Sequence, residues 1–265
     1  MKNVGKYLEF KKTLPREKYI ALGSVSFIGT IFIWYLITRL NLIQPYFLPS
    51  PQEVINASYL LFQDAIIWAG VRDSFFRVTV GYVIAVVLAV PLGLLVGSFK
   101  VVEALVEPLA NFVRYTPLPA FIPLIILWVG LGDLNQITVI FLGVFWSLIV
   151  MVADVAASVP KELIDTAFTL GLKKREILLK VVFPYSLPGI YDSLRVAIGW
   201  AWSSLILAEV VGANTGIGHM IMESQRFLKT ANVIFGIILV GVLGVFLDYL
   251  FKRLYPKLFQ WSEKV

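Results

Sequence analysis

The sequence predicts an all-α polytopic membrane protein with six transmembrane helices, and three observations carry that reading. Of its 265 residues, 58% are hydrophobic and 15% charged, with a mean hydropathy of +0.82. A soluble domain is nearer half apolar and a quarter charged. The apolar residues gather in runs over 19–38, 76–98, 110–131, 135–157, 189–211 and 231–251, each near the ~20 residues a bilayer needs. The hydropathy also exceeds that of a transmembrane β-barrel, whose strands alternate apolar and polar side chains, and excludes a disordered chain.

The elements follow in order. Residues 1–18 are polar and basic and read as a cytoplasmic segment. The apolar run after them is longer than a signal-peptide core and has no small-residue cleavage site, so it is expected to stay as the first membrane helix. The loop behind it carries Ser50-Pro51-Gln52-Glu53, a capping box with proline at the first helical position. It predicts an amphipathic helix to about Asp64, lying along the outer interface near Tyr59 and Trp68. Gly81, Gly93 and Gly97 in the second span suit close helix packing. The third span begins with Arg114, Pro117, Pro119 and Pro123, which predicts a kink.

The longest polar interruption is the inner loop 159–184. Leu163, Ala167 and Leu170 share one face of a short helix, Gly171 ends it, and 173–181 begin a second helix that Pro184 and Pro188 are expected to stop. A knob of this kind suits a groove on a soluble partner. Three glycines open the outer loop 212–228, which reads as an interfacial or re-entrant segment. The membrane domain is placed over 19–254, with a cytoplasmic tail over 255–265.

The net charge is +6. Basic residues fall mostly between the apolar runs, so orientation in the bilayer accounts for them and nucleic acid is not an expected partner. With the N-terminus inside, 16 of the 23 Lys and Arg lie on the inner side. Five lie outside or at its edge, namely Arg39, Arg72, Arg77, Arg226 and Lys229. Both termini are therefore expected in the cytoplasm. The chain has no cysteine and a single histidine, His219, which gives no basis for a metal site. It has no phosphate-binding loop, H-E-x-x-H or G-x-S-x-G, so no enzyme chemistry and no cofactor of its own are expected.

The inner loop resembles the EAA loop of importer-type ABC permeases. That family pattern runs Glu-Ala-Ala, three residues, Gly, nine residues, Ile-x-Leu-Pro. Here it stands as Asp165-Thr166-Ala167, three residues, Gly171, nine residues, Val181-Val182-Phe183-Pro184. The LPSPQEV, RYTPLPAFIPLIILWVGLGD and IGWAWSSLILAEVVGANTGIGHMI segments are similar to the nitrate, sulfonate and taurine branch. The resemblance implies a type I (MetI-like) permease core, a homodimer, a cytoplasmic ATPase dimer that carries the ATP and magnesium, and a periplasmic or lipid-anchored binding protein. It implies ATPase coupling through Asp165, Thr166, Ala167, Leu170, Gly171, Val181, Phe183 and Pro184. The basic Lys173 and Lys174 either pair with the ATPase or follow the positive-inside pattern. A bulkier side chain at Gly171 is expected to weaken transmission. The cargo implied is a small or organic anion of the nitrate, bicarbonate, sulfonate or taurine type, imported across a bacterial inner membrane. A stand-alone carrier or channel is the alternative, and it gives the knob no purpose.

Polar residues inside the spans are the candidates for the pathway, because charge in a bilayer is costly. Arg114 sits beside Tyr115 and Thr116, a charge with adjacent hydroxyls; interfacial anchoring is its other reading. Arg195 either helps an anion cross the inner half or pairs with Asp192. Glu209 reads as a helix-end or loop anchor. Trp200 and Trp202 stand about 200° apart on one helix, so at most one faces a pathway. Ser203 and Ser204 suit either packing or a pore lining.

Overall fold

The computed structural model describes residues 15–262; residues 1–14 and 263–265, parts of the predicted segments 1–18 and 255–265, lie outside them. The described residues form helices α1 (Arg16–Arg39), α2 (Pro51–Gln63), α3 (Ala65–Ser98), α4 (Lys100–Tyr115), α5 (Ile122–Val129), α6 (Asp133–Ala157), α7 (Lys161–Thr169), α8 (Lys174–Ile177), α9 (Phe183–Gly212), α10 (Ile217–Arg226) and α11 (Thr230–Leu258). Five stretches are long and apolar enough to cross a membrane, and a sixth counts if the bent pair around residue 116 is one span.

The centre of the bundle is α3 against α6. Gly81, Ala85, Ala89, Gly93 and Gly97 recur every four residues along one face of α3. A Cβ at Gly81 would lie 2.9 Å from that of Ile140, and one at Gly93 2.7 Å from that of Val152. The facing residues Ile140, Val144, Leu148 and Val152 are wholly buried. The partners advance together in number, so the helices run parallel, small residues into large. In lipid, where the hydrophobic effect does not hold helices together, this close approach supplies the packing energy. α9 crosses the other side of α6 antiparallel, with Gly143 against Ser204 and Gly189 against Val155.

α1 stands at the periphery, joined to the loop before α2 by the Trp34 indole N–H donating to the Pro49 carbonyl at 2.9 Å. The capping box forms at α2. The Ser50 N–H donates to Glu53 Oε2 at 2.6 Å, and the Glu53 N–H donates to Ser50 Oγ at 3.3 Å. Asp64 then caps α3 through the Ile66 N–H at 2.9 Å. α3 consequently starts at Ala65, well before the apolar run itself begins at 76.

The third span is two helices. α4 starts at Lys100 and ends at Tyr115; a 3-10 turn over Leu118–Phe121 leads into α5, and the pair bends by 96°. Pro117 causes the break: the residue before a proline is pushed to extended backbone, and Thr116 has φ −77° and ψ 129°.

The second helix of the inner loop does not stop at Pro184 or Pro188. It passes through a π turn over Leu178–Val182 into α9, with the Phe183 N–H reaching back to the Leu178 carbonyl. A proline has no N–H and its ring crowds the carbonyl four residues back. The wider π turn takes up that conflict, so the chain continues as one helix instead of ending.

Candidate functional site

Three regions carry polar chemistry. The first is the 159–184 loop. α7 ends in a Schellman turn: the Leu172 N–H donates to the Ala167 carbonyl at 3.1 Å and the Gly171 N–H to the Phe168 carbonyl at 2.9 Å. Gly171 has φ +82°, and nothing lies within 4 Å of where its Cβ would be. The glycine is therefore required by backbone conformation, not by lack of room. The Lys173 N–H donates to Glu176 Oε2 at 3.0 Å and opens the next helix. The structure divides the predicted docking residues. Asp165, Thr166, Leu170, Lys173, Lys174 and Pro184 are exposed. Ala167 is buried, and Val181 and Phe183 pack on the core beneath. The face expected for Leu163, Ala167 and Leu170 is split: Leu170 is the cap residue of α7 and turns outward at 74% exposure, while Ala167 turns inward. Leu163 and Phe168 are half-exposed beside it.

The second region is a cavity of about 360 Å³ at the α4–α5 break. It brings together Arg114, Tyr115, Thr116, Trp200, Ser203 and Ser204, from two segments far apart in sequence. α6 adds Gly143, Trp146 and Ser147, which sequence reasoning missed because no charged residue lies within six positions of them to draw attention there. The Arg114 guanidinium lies 4.9 Å from the Tyr115 ring centroid and donates to the Asn111 Oδ1 at 2.9 Å and the Tyr115 hydroxyl at 3.1 Å. Among the described residues, the lining holds one cation and no carboxylate. Trp202 is buried elsewhere, 2% exposed. Arg195 lies apart from this cavity: its Nε is 3.4 Å from Asp248 Oδ1 and its Nη1 3.9 Å from Asp192 Oδ1, joining α9 to α11.

The third region is at the bundle end opposite the 159–184 loop. Arg77 Nη1 donates to Glu209 Oε1 and to the Thr215 carbonyl, both at 2.7 Å, and its Nε donates to Asp133 Oδ1 at 2.8 Å. Glu209 also accepts from the Ser74 hydroxyl at 2.7 Å and the Gly218 N–H at 2.8 Å. Ser74 in turn accepts the Ile217 N–H at 2.9 Å. Gly216 and Gly218 leave room for the carboxylate; a Cβ at either would collide with Glu209. The network ties α3, α6, α9 and the start of α10 together. The carboxylate anchors a loop, as its helix-end position suggests. Arg77, counted among the outer-edge charges in the sequence, is its centre.

Comparison with known proteins gives a consistent result. The family model described as "Binding-protein-dependent transport system inner membrane component" matches residues 89–260. The chain is 29% identical over 263 residues to the taurine transport system permease protein TauC of Escherichia coli (strain K12), covering 97% of this chain and 95% of that protein. It is 35% identical over 238 residues to a putative ABC transporter permease protein of Methanocaldococcus jannaschii, covering 88% and 89%. The fold resembles a chain in inward-facing structures of the MetNI methionine ABC transporter, with a TM-score of 0.64, 20% identity, and coverage of 72% of this chain and 95% of that one.

Proposed function

Since the chain belongs to the family of binding-protein-dependent transport system inner membrane components, being an ABC importer permease, we propose that it carries a small anion through the cavity at the α4–α5 break. The observation behind this reading is the lining itself: Arg114 with the hydroxyls of Tyr115 and Ser147, and no carboxylate among the described lining residues, while the Thr116 and Ser203 hydroxyls donate to the Phe112 and Gly199 carbonyls. A guanidinium with neighbouring hydroxyl donors suits a sulfonate, nitrate or carboxylate group, and Trp146 and Trp200 offer apolar walls for an organic anion. The taurine transport of the Escherichia coli relative supports a sulfonate.

The remaining parts take their roles from this reading. α4 exposes Val101, Leu105, Leu109 and Phe112 as one apolar stripe on the helix that delivers Arg114. We assign that stripe to a second copy of the chain, so that two cavities face each other in a homodimer surrounded by membrane lipid. The exposed surface of the 159–184 loop docks a cytoplasmic ATPase dimer, which holds the ATP and magnesium. Closure of that dimer moves the loop, and the continuous α8–α9 rod passes the movement to Trp200 and Ser203. A solute-binding protein delivers the anion at the opposite end. Both termini lie in the cytoplasm, in keeping with the distribution of Lys and Arg.

The test is uptake into vesicles holding the permease, its ATPase and its binding protein, with taurine, an alkanesulfonate and nitrate as cargo. Vanadate-sensitive uptake of one of these, lost without ATPase, is the expected result. Uptake that continues without ATPase would make the chain a carrier. ATP-driven uptake of a cation alone would remove the anion assignment.

A further inference from the structure

Beneath the 159–184 loop lies a groove of about 530 Å³ that is separate from the cavity and shares Lys174 with the exposed docking surface. The ends of α3 and α6, the start of α4, and the inward faces of α7 and α8 wall it. Its lining is almost wholly apolar, with Val102, Val159, Ile164, Phe168, Ile177 and Val182 among the walls. Lys100 and Lys174 are the charged side chains on it, with no carboxylate among the described lining residues. Lys100 is held by Glu103 at 2.7 Å, but an ammonium group has three protons and this one is largely exposed. The Ser98 hydroxyl is buried on the same lining without a hydrogen-bond partner. α4 starts at Lys100 with no side-chain cap, which leaves the positive end of that helix at the groove.

A soluble anion gains nothing from such walls, and a neutral lipid gains nothing from the two lysines. Basic pockets between helices at the cytoplasmic side suit anionic headgroups. We propose that this groove binds an anionic phospholipid of the inner leaflet, its chain against the apolar walls and its phosphate beside Lys100 and Lys174. Bound there, the lipid fills the space between the docking loop and the ends of α3 and α6, and stiffens the loop as a lever. The binding stands on the groove; the effect on coupling rests on the ATPase-docking reading above.

The experiment is native mass spectrometry of the assembled transporter from mild detergent, loaded with phosphatidylglycerol or with phosphatidylcholine of matched chains. Retention of phosphatidylglycerol in preference to phosphatidylcholine is expected. Lys100→Gln should lower it about fivefold, the worth of one basic side chain at an anionic surface, and Lys100→Arg should restore it. Ala157→Trp, which places a ring in the groove, should remove both lipids. Equal retention of the two lipids overturns the proposal, as does retention unchanged in Lys100→Gln and Ala157→Trp. Displacement by millimolar inorganic phosphate would show a free-anion site and overturn it too. Retention is read without transport, so its failure leaves the docking reading standing. Loss of the ATPase from the complex fails the docking reading while the lipid count on the permease stays readable.

Discussion

Arg77 on α3 and Glu209 on α9 meet at 2.7 Å with side chains 5% and 0% exposed. Neither is left with spare capacity. The guanidinium goes on to Asp133 and Thr215, and the carboxylate takes Ser74 and the Gly218 N–H. The loop before α10 is thus attached to three helices through one buried arginine.

The two carboxylates on Arg77 are not equivalent, and this gives the first prediction. Asp133 is 58% exposed at its side chain, whereas Glu209 is closed off. Removing one partner of a buried pair costs about 3–5 kcal/mol because the other charge stays desolvated. An exposed pair is worth about 0–1 kcal/mol. Arg77→Met should therefore lose several times more stability than Asp133→Asn, read as thermal unfolding of the purified protein in detergent. Equal losses would show that the network is solvated and does not hold the loop.

Gly171 tests whether the docking turn depends on shape or on size. Its Cβ position is open, but its φ is +82°, a region that costs an ordinary L-residue roughly 1–2 kcal/mol and that asparagine enters more readily. Gly171→Ala and Gly171→Trp should then weaken ATPase co-purification to similar degrees, with Gly171→Asn milder than either. A graded loss that follows side-chain volume would put the cost in the partner's groove instead of in the turn.

Much of this architecture can be read from the residues because it depends on local patterns. The Ser50–Glu53 box, the glycines of α3 and the proline-marked break after Tyr115 each declare themselves within a few positions. Two things could not be read that way. A proline in a helical stretch normally signals a stop, and only the π turn over Leu178–Val182 shows how α8 and α9 continue through Pro184. The partners of charged residues are equally nonlocal. Arg77 lies 132 positions from Glu209, and Arg195 finds its closer carboxylate on α11, not at Asp192 three residues away. The cavity is an intermediate case. Polar residues in two spans could be picked out, but their meeting, and the wall supplied by Trp146 and Ser147, follow from how α6 lies between them.

Arg114 and Arg195 should separate cleanly in transport. Arg114 lines the cavity, while Arg195 is engaged by Asp248. Hydrogen bonds to a charged group are worth about 1.5–3 kcal/mol, so Arg114→Gln should raise the half-saturating concentration for the anion or lower its uptake by roughly 10- to 100-fold. Arg195→Gln should leave that concentration unchanged and lower only thermal stability. The measurement is concentration-dependent uptake into vesicles with the full transporter. A larger effect on half-saturation from Arg195 would move the pathway to the α9–α11 face.

The glycines on the helix faces predict a pattern that a general intolerance of substitution would not give. A Cβ at Gly189 would meet only side-chain atoms of Val155, the nearest a γ carbon at 2.7 Å. A Cβ at Gly93 would also meet the Ile149 carbonyl oxygen at 2.8 Å, which is backbone. Overpacking a close helix contact costs about 1–3 kcal/mol. Both Gly189→Ala and Gly93→Ala should lower the unfolding temperature of the purified protein. Val155→Ala should restore most of the Gly189→Ala loss, because it removes the obstructing γ carbons. Shortening Val152 should not restore Gly93→Ala, since the carbonyl remains. Gly241 on α11 has nothing within 4 Å of its Cβ position, so Gly241→Ala should cost nothing. Rescue at Gly93, or none at Gly189, would mean that α3 and α9 do not approach α6 as closely as their glycines allow.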